Sequence, residues 1–191
     1  MRTERLILRR WREEDREPFA ALNADPLVME FFPEPLDRAL SDELIDRIEA
    51  DFVRLGFGLW AVEVAGVAPF IGFVGLSEPT FTSHFTPAVE VGWRLDRAFW
   101  GHGYATEAAD ASVAFGFGVL ELEEIVSFTV PENRRSRRVM ERLGMTNDAA
   151  DDFDHPRVPV GHRCRRHVLY RLTRAGWAER AERGAVTRQG A

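Results

Sequence analysis

Lysine does not occur anywhere in this 191-residue chain, and cysteine occurs once, at Cys164. All 25 basic side chains are therefore guanidiniums, permanently charged and shaped for two-pronged contact with carboxylate or phosphate. A phosphate-binding P-loop, which requires a lysine, is excluded. The lone thiol excludes an internal disulfide and a thiolate metal cluster within one chain, and leaves Cys164 a structural or incidental role. Long apolar runs are also missing. None approaches the roughly 18 residues that span a bilayer, so no membrane partner is expected. The Met1-Arg2-Thr3-Glu4 opening lacks the apolar stretch of a secretory signal, and a cytoplasmic location is the expectation. A net charge of -6 with no interleaving of basic and aromatic residues argues against a nucleic-acid partner.

What is present is a 45% hydrophobic composition, enough to bury one sizeable core. Residues 1–175 read as a single domain and residues 176–191 as a flexible C-terminal tail. Charge is divided unevenly: residues 1–130 carry 11 arginines against 23 acids, and residues 131–191 carry 14 arginines against 8 acids. An acidic first part suits a cationic acceptor and a basic second part suits a polyanionic cofactor; ordinary solvated faces account for the same division.

Apolar periodicity outlines the elements. Leu6-Ile7-Leu8 is a first strand. Asp15 is placed to cap a helix through Asn23. Leu44, Ile45, Ile48, Phe52 and Leu55 recur at helical spacing behind an imperfect capping box at Ser41. Leu59 to Val64 and Phe70 to Leu76 suggest an antiparallel hairpin. Val89 to Leu95 is a further strand, followed by a helix whose small residues Ala105, Ala108, Ala109 and Ser112 permit close packing on a sheet. Ile125 to Val130 is a strand, a helix runs to Leu143 with Gly144 at its end, and His167 to Thr173 is the last strand. This is a mixed α/β arrangement and not a repeating βαβ series.

The segment Trp100-Gly101-His102-Gly103 breaks strand periodicity and restarts it as a helix. Two glycines there allow the backbone to aim several unpaired N–H groups at one spot, which is how a phosphate or pyrophosphate is seated. A dinucleotide fold needs a third glycine where Thr106 stands, and needs the motif after the first strand. An extended, amide-bearing arm lying on the edge of the preceding strand fits better. Coenzyme A has such an arm.

Trp100-Gly101-His102-Gly103-Tyr104-Ala105-Thr106-Glu107-Ala108 resembles the pyrophosphate loop of the GNAT N-acetyltransferase superfamily, and the Trp100 start resembles its RimJ/RimL-like branch. The block from Val130 to Met145, with Asn133 and Ser136, is similar to the family's N-x-x-S helix and following glycine. Arg5-Leu6-Ile7-Leu8-Arg9 and His167 to Leu172 extend the resemblance over nearly the whole chain.

That resemblance implies the GNAT-type acyl-CoA N-acyltransferase fold, a mixed central sheet with helices on both faces. It implies acetyl transfer from acetyl-CoA to a primary amine, a small molecule or a protein N-terminus, by direct attack in a ternary complex. The cofactor would meet Val91 and Trp93 on the strand, Gly101, His102, Gly103, Tyr104, Ala105 and Thr106 in the loop, and Asn133 and Ser136 beyond. His102 itself is read as a solvent-facing loop residue and not a base.

Catalytic roles fall to Glu90 and Ser136. Glu90 is the candidate base, with recognition of the acceptor's positive charge as the alternative. The Val91 N–H is placed to polarise the thioester carbonyl. Where many family members carry a tyrosine acid this chain has Met140, so a Ser136 hydroxyl bonded to the cofactor sulfur is the substitute; a small residue that merely admits the cofactor is equally consistent. Asn133 binds the arm or caps its helix. One or two of Arg134, Arg135, Arg137 and Arg138 can reach the phosphates, since they cannot all share one face. Phe31, Phe32, Trp60 and the Ser77 to Pro87 loop are candidates to shape the acceptor cleft. The histidines between His155 and His167 have no carboxylate at a fixed short spacing, and no metal is expected. A homodimer is compatible with the C-terminal strands, and an acyl-CoA sensor without turnover is the alternative function.

Overall fold

The first four strands pair antiparallel in chain order, although two helices stand between the first and the second. A computed structural model describes residues 1–189, in the order β1 (Leu6–Arg9), α1 (Arg16–Ala24), α2 (Arg38–Leu55), β2 (Leu59–Val64), β3 (Gly72–Ser77) and β4 (Glu90–Leu95). There follow α3 (Tyr104–Gly118), β5 (Glu124–Thr129), α4 (Arg134–Arg142), β6 (Thr146–Asn147), β7 (Phe153–Asp154), β8 (Arg166–Thr173) and α5 (Arg174–Gln189). The sheet is mixed, with strands in the order β1-β2-β3-β4-β5-β8-β6 and β7 paired to β8. Helix α3 carries the chain over the sheet between β4 and β5, so that pair alone among the described residues is parallel. No helix among the described residues is long and apolar enough to cross a membrane.

Register sorts the side chains onto two faces. Phe73 of β3 lies opposite Arg94 of β4, Gly75 opposite Gly92 and Ser77 opposite Glu90. Phe73 meets Phe19 of α1 at 5.9 Å and Arg94 bonds Asn23 of α1, so this set faces α1. Val74 opposite Trp93 and Leu76 opposite Val91 form the other set. Trp93 bonds Ser136 of α4, and Leu76 lies beside Gly116 of α3. Helices therefore cover both faces, as the family resemblance implies. Close approach of α3 depends on Ala108, Ala109, Ser112 and Gly116, all buried. A Cβ on Gly116 would stand 2.7 Å from Ile125 Cδ1.

Several local expectations are corrected. Asp15 is not a side-chain cap for α1; a short 3-10 turn over Glu13–Asp15 precedes that helix, and the carboxylate is turned back to Arg9 and the Arg12 N–H. Helix α2 begins earlier than the Ser41 box implies, capped by Asp37, whose side chain accepts from the Leu40 N–H. Ser41 is buried and accepts from Asn23 instead. Strands β6 and β7 are two residues each, too short to show alternation. The segment read as a tail is helical to Gln189: Trp177 packs on Phe117 at 5.4 Å and Arg180 bonds Asp110 and the Leu143 carbonyl. Residues 190–191 of that tail lie outside the described residues.

Among the described residues the Arg9–Asp15 contact is the most enclosed ion pair, with side chains 10% and 1% exposed. Two parallel N–H···O bonds of 2.7 and 2.8 Å join them, and Arg9 also reaches Glu63 and the Pro69 carbonyl. Removing one member of a buried pair leaves the other charge without its partner, at a cost of about 3–5 kcal/mol. Asp15→Ala is expected to lower unfolding free energy by about that amount in a urea titration. A loss under about 1 kcal/mol would mean that Glu63 and Pro69 suffice for Arg9.

Candidate active site

Pairing between β4 and β5 is confined to Glu90 opposite Val126. The Val126 N–H donates to the Val89 carbonyl at 2.9 Å, and one step further a side chain replaces the ladder: Ser127 Oγ donates to the Val91 carbonyl at 2.8 Å. Odd-numbered residues of β4 thus direct their main-chain groups toward β5. Beyond Val91 the next such groups are those of Trp93, where no β5 residue is paired. A cavity of about 630 Å³ opens at this divergence and is lined from both faces of the sheet.

One end of the cavity is the glycine turn. Gly101 and Gly103 have φ of 80° and 83°, the left-handed region that a side chain would strain. Gly103 is the N-cap of α3 and supplies no side chain to cap it; the Glu107 N–H bonds the Gly103 carbonyl at 3.0 Å. The N–H groups of Tyr104, Ala105 and Thr106 precede that first bond and have no acceptor within the helix. All three residues line the cavity with Gly101 and Gly103. The helix dipole adds partial positive charge at the same place. His102 stands outside: it is exposed, its ring stacks on Tyr104 at 5.5 Å, and its carbonyl is held by Arg5. Arg5 also grips Glu107 through its backbone N–H and its guanidinium, at 2.9 and 2.7 Å, so the start of the chain clamps the turn. Of the arginines on α4, Arg135, Arg138 and Arg142 line the cavity, whereas Arg134 and Arg137 do not. Arg137 is turned to Tyr170 and the Pro131 carbonyl.

Across the divergence, Trp93 Nε1 donates to Ser136 Oγ at 3.3 Å. That leaves the Ser136 hydroxyl proton available to a group in the cavity. Asn133 lines the cavity as well, but its side chain is committed: Oδ1 accepts from the Ser136 N–H at 3.2 Å and Nδ2 donates to Thr129 Oγ1 at 3.0 Å. It caps α4. Met140 is 1% exposed and supplies no acid. Val91 is fully buried in the core and is not part of the lining, so Trp93 is the β4 residue that offers its main chain to the gap.

On the α1 face, Glu90, Gly92 and Arg94 stand in a row toward Phe31, Phe32 and Pro33. Enclosure by protein, with no cation or donor on its carboxylate, pushes Glu90 up to about 8. The same enclosure pushes Arg94 down to about 10. Trp60 is not in the cleft; it packs between Phe52 and Phe115. The Ser77 to Pro87 loop is absent from the lining too, its Phe81 and Phe85 joining Phe128 and Phe153 in a separate apolar cluster. His155 and His167, with ring centres 5.1 Å apart, line the cavity beside that cluster, and burial lowers both below the usual imidazole range. Cys164 lines it also, buried, with Sγ 3.7 Å from the Phe32 carbonyl.

Arg94 and Arg142, which line the cavity, and Arg5, which holds the glycine turn, are residues that the sequence reading did not single out. The alternation that links Glu90 to Gly92 continues to Arg94 and would have placed it. No local pattern marks Arg5, whose partners lie about a hundred positions away.

An uncapped helix start suited to an anion, an open strand edge suited to an extended arm and an isolated carboxylate lie along one cavity. The model for the Acetyltransferase (GNAT) domain matches residues 5–146, and the chain belongs to that family. It is 30% identical over 199 residues to the FsC-acetyl coenzyme A-N(2)-transacetylase of Aspergillus fumigatus, covering 98% of this chain and 81% of that protein. An acetyltransferase structure from Agrobacterium tumefaciens is similar at 29% identity and TM-score 0.72, covering 90% of this chain and 92% of that one. Spermidine N-acetyltransferase from Vibrio cholerae, in complex with CoA and spermine, shares the fold at 19% identity and TM-score 0.72, covering 92% and 99%.

The Glu90 environment has a consequence for stability. A carboxyl held protonated in the folded state binds a proton that the unfolded chain has already released, so its contribution is complete below the ordinary carboxylate range and is lost as pH rises through about 8. Glu90→Gln removes this loss. The melting temperature of the variant relative to wild type is expected to rise between pH 5 and pH 9; a constant difference would show that Glu90 ionises normally.

Proposed function

We propose that the chain transfers an acetyl group from acetyl-CoA to a primary amine by direct attack in a ternary complex. The observation that carries this reading is the divergence of β4 from β5, with free amides at one end and Glu90 at the other. The Tyr104, Ala105 and Thr106 N–H groups, with Arg138 and Arg142, would hold the pyrophosphate end. Trp93 would bond the arm through its main chain. Acetyl-CoA supplies the thioester carbonyl that the amine attacks.

Glu90, deprotonated, takes a proton from the acceptor ammonium and frees its lone pair. The Trp93 N–H, pointing into the gap, stabilises the negative charge that develops on the carbonyl oxygen. A C–N bond forms and the C–S bond breaks; the extra proton on the attacking nitrogen passes to the departing thiolate, to which Ser136 donates a hydrogen bond. The acceptor is a small-molecule amine or a protein N-terminal amine. The Arg5 to Arg9 and His167 to Leu172 blocks support the RimJ/RimL-like branch as the finer assignment. A second reading, an acyl-CoA sensor without turnover, is favoured by Met140 standing where many family members place their acid.

Calorimetric titration with acetyl-CoA tests the seat: saturable one-to-one binding is expected, and its absence in folded protein would overturn the proposal. Release of CoA thiol in the presence of an amine separates enzyme from sensor. Because the base must be ionised, activity is expected to rise with pH through about 8. Glu90→Gln is expected to lower kcat/KM about 10²–10⁴-fold at pH 8 and to remove that limb. An unchanged pH profile would exclude Glu90 as base.

A further inference from the structure

Arg94 is the unexplained charge of this site. It projects from β4 on the same face as Glu90, two strand steps further on, with Gly92 between them. Its Nη1 donates to Asn23 Oδ1 at 2.5 Å, and its guanidinium lies 4.2 Å over the Phe32 ring and 5.4 Å from that of Phe73. Asn23 is itself held, donating to the buried Ser41 hydroxyl at 2.8 Å. Thus the guanidinium is fixed in place by neutral groups. Its Nε is buried without any acceptor, and among the described residues no aspartate or glutamate pairs with it. A half-buried guanidinium with a buried, unpaired Nε and no counter-charge is unfavourable unless something from outside supplies one.

The rest of the cavity points the same way. Glu90 is the only carboxylate among its lining residues, against Arg94, Arg135, Arg138, Arg142 and Arg157. Arg135, Arg138 and Arg142 belong to α4, beside the glycine turn, whereas Arg94 stands on the opposite face of the sheet. Between Glu90 and Arg94 the floor is open: a Cβ on Gly92 would touch nothing nearer than Glu90 Oε1 at 3.8 Å. Four residues of strand separate the two Cα atoms by about 13 Å. A polycationic acceptor would find one carboxylate and an uncompensated guanidinium here.

We propose that the acceptor amine also carries an oxyanion, a carboxylate or a phosphate-type group, which Arg94 binds while Glu90 receives the amine. This rests on the acetyl-transfer reading above. The planar fork of a guanidinium matches either oxyanion through two parallel N–H···O bonds. Arg94 then determines specificity, with Phe32 and Asn23 as its positioning residues.

The test compares acceptors of equal chain length: aminocarboxylates, their carboxamides, aminophosphonates and diamines, with CoA thiol release as the readout. Wild type is expected to favour the aminocarboxylate or aminophosphonate over the carboxamide by at least about tenfold in kcat/KM, as expected for a charge-assisted pair. The carboxylate and phosphonate arms identify which oxyanion is taken. In Arg94→Gln the preference is expected to collapse toward unity, mainly through KM, and Arg94→Lys is expected to be intermediate.

Equal or better turnover of the carboxamide or the diamine by wild type would overturn the proposal, as would a preference that survives in folded Arg94→Gln. If Arg94→Gln does not fold, the wild-type preference and Arg94→Lys decide. Direct calorimetric titration of wild type with the same four acceptors gives a readout without turnover; no preference for the oxyanion-bearing ligands there would also overturn it. Failure of acetyl transfer itself has a different signature, absence of acetyl-CoA binding or of thiol release with every amine.

Discussion

The site depends on how little of β4 is paired with β5. Parallel strands joined by a helical crossover ordinarily continue their ladder, and here it stops after Glu90 opposite Val126. Ser127 then spans to the Val91 carbonyl with its hydroxyl, satisfying that acceptor while the strands separate. An unpaired main chain at Trp93 would be costly in a closed core, but next to a cavity it becomes a place for an external partner to bond. Everything assigned to the cofactor or the acceptor lies along that opening.

Charge is distributed about the opening with some economy. At the turn, the helix N-terminus and backbone amides supply positive potential, and Arg5 braces the turn from outside by holding Glu107 and the His102 carbonyl. On the far face, Glu90 and Arg94 sit in surroundings that disfavour the charge of each, and neither is neutralised by the other. Stability arises elsewhere, in the Arg9–Asp15 pair and the small-residue contact of α3 with the sheet. The parts that fold the chain and the parts that await a ligand are thus largely separate.

Local patterns were a sound guide to the elements. The Leu59 to Val64 strand, the glycine turn and the helix ending before Gly144 lie where periodicity and backbone chemistry place them. Such features answer to neighbours within a few residues. Misreadings occurred where a polar side chain had a competing partner outside its own helix. Asp15 is drawn from its helix by Arg9, and Ser41 is buried against Asn23. Trp60 reads as easily on a cleft wall as in a core, and two rings from α2 and α3 hold it in the core.

The sequence alone determined the family blocks, the order of the longer strands and helices from β1 to α4 together with β8, and the glycine turn with its free amides, because left-handed backbone and helix starts are properties of short segments. It also limited the ligand chemistry, since a chain without lysine can meet anions only through arginine and the backbone. Tertiary structure decided which odd-numbered residue of β4 faces the gap, which arginines of α4 reach it, and that Arg94 stands without a counter-charge. Those outcomes depend on register and on contacts between residues far apart in the chain, and no local pattern encodes them.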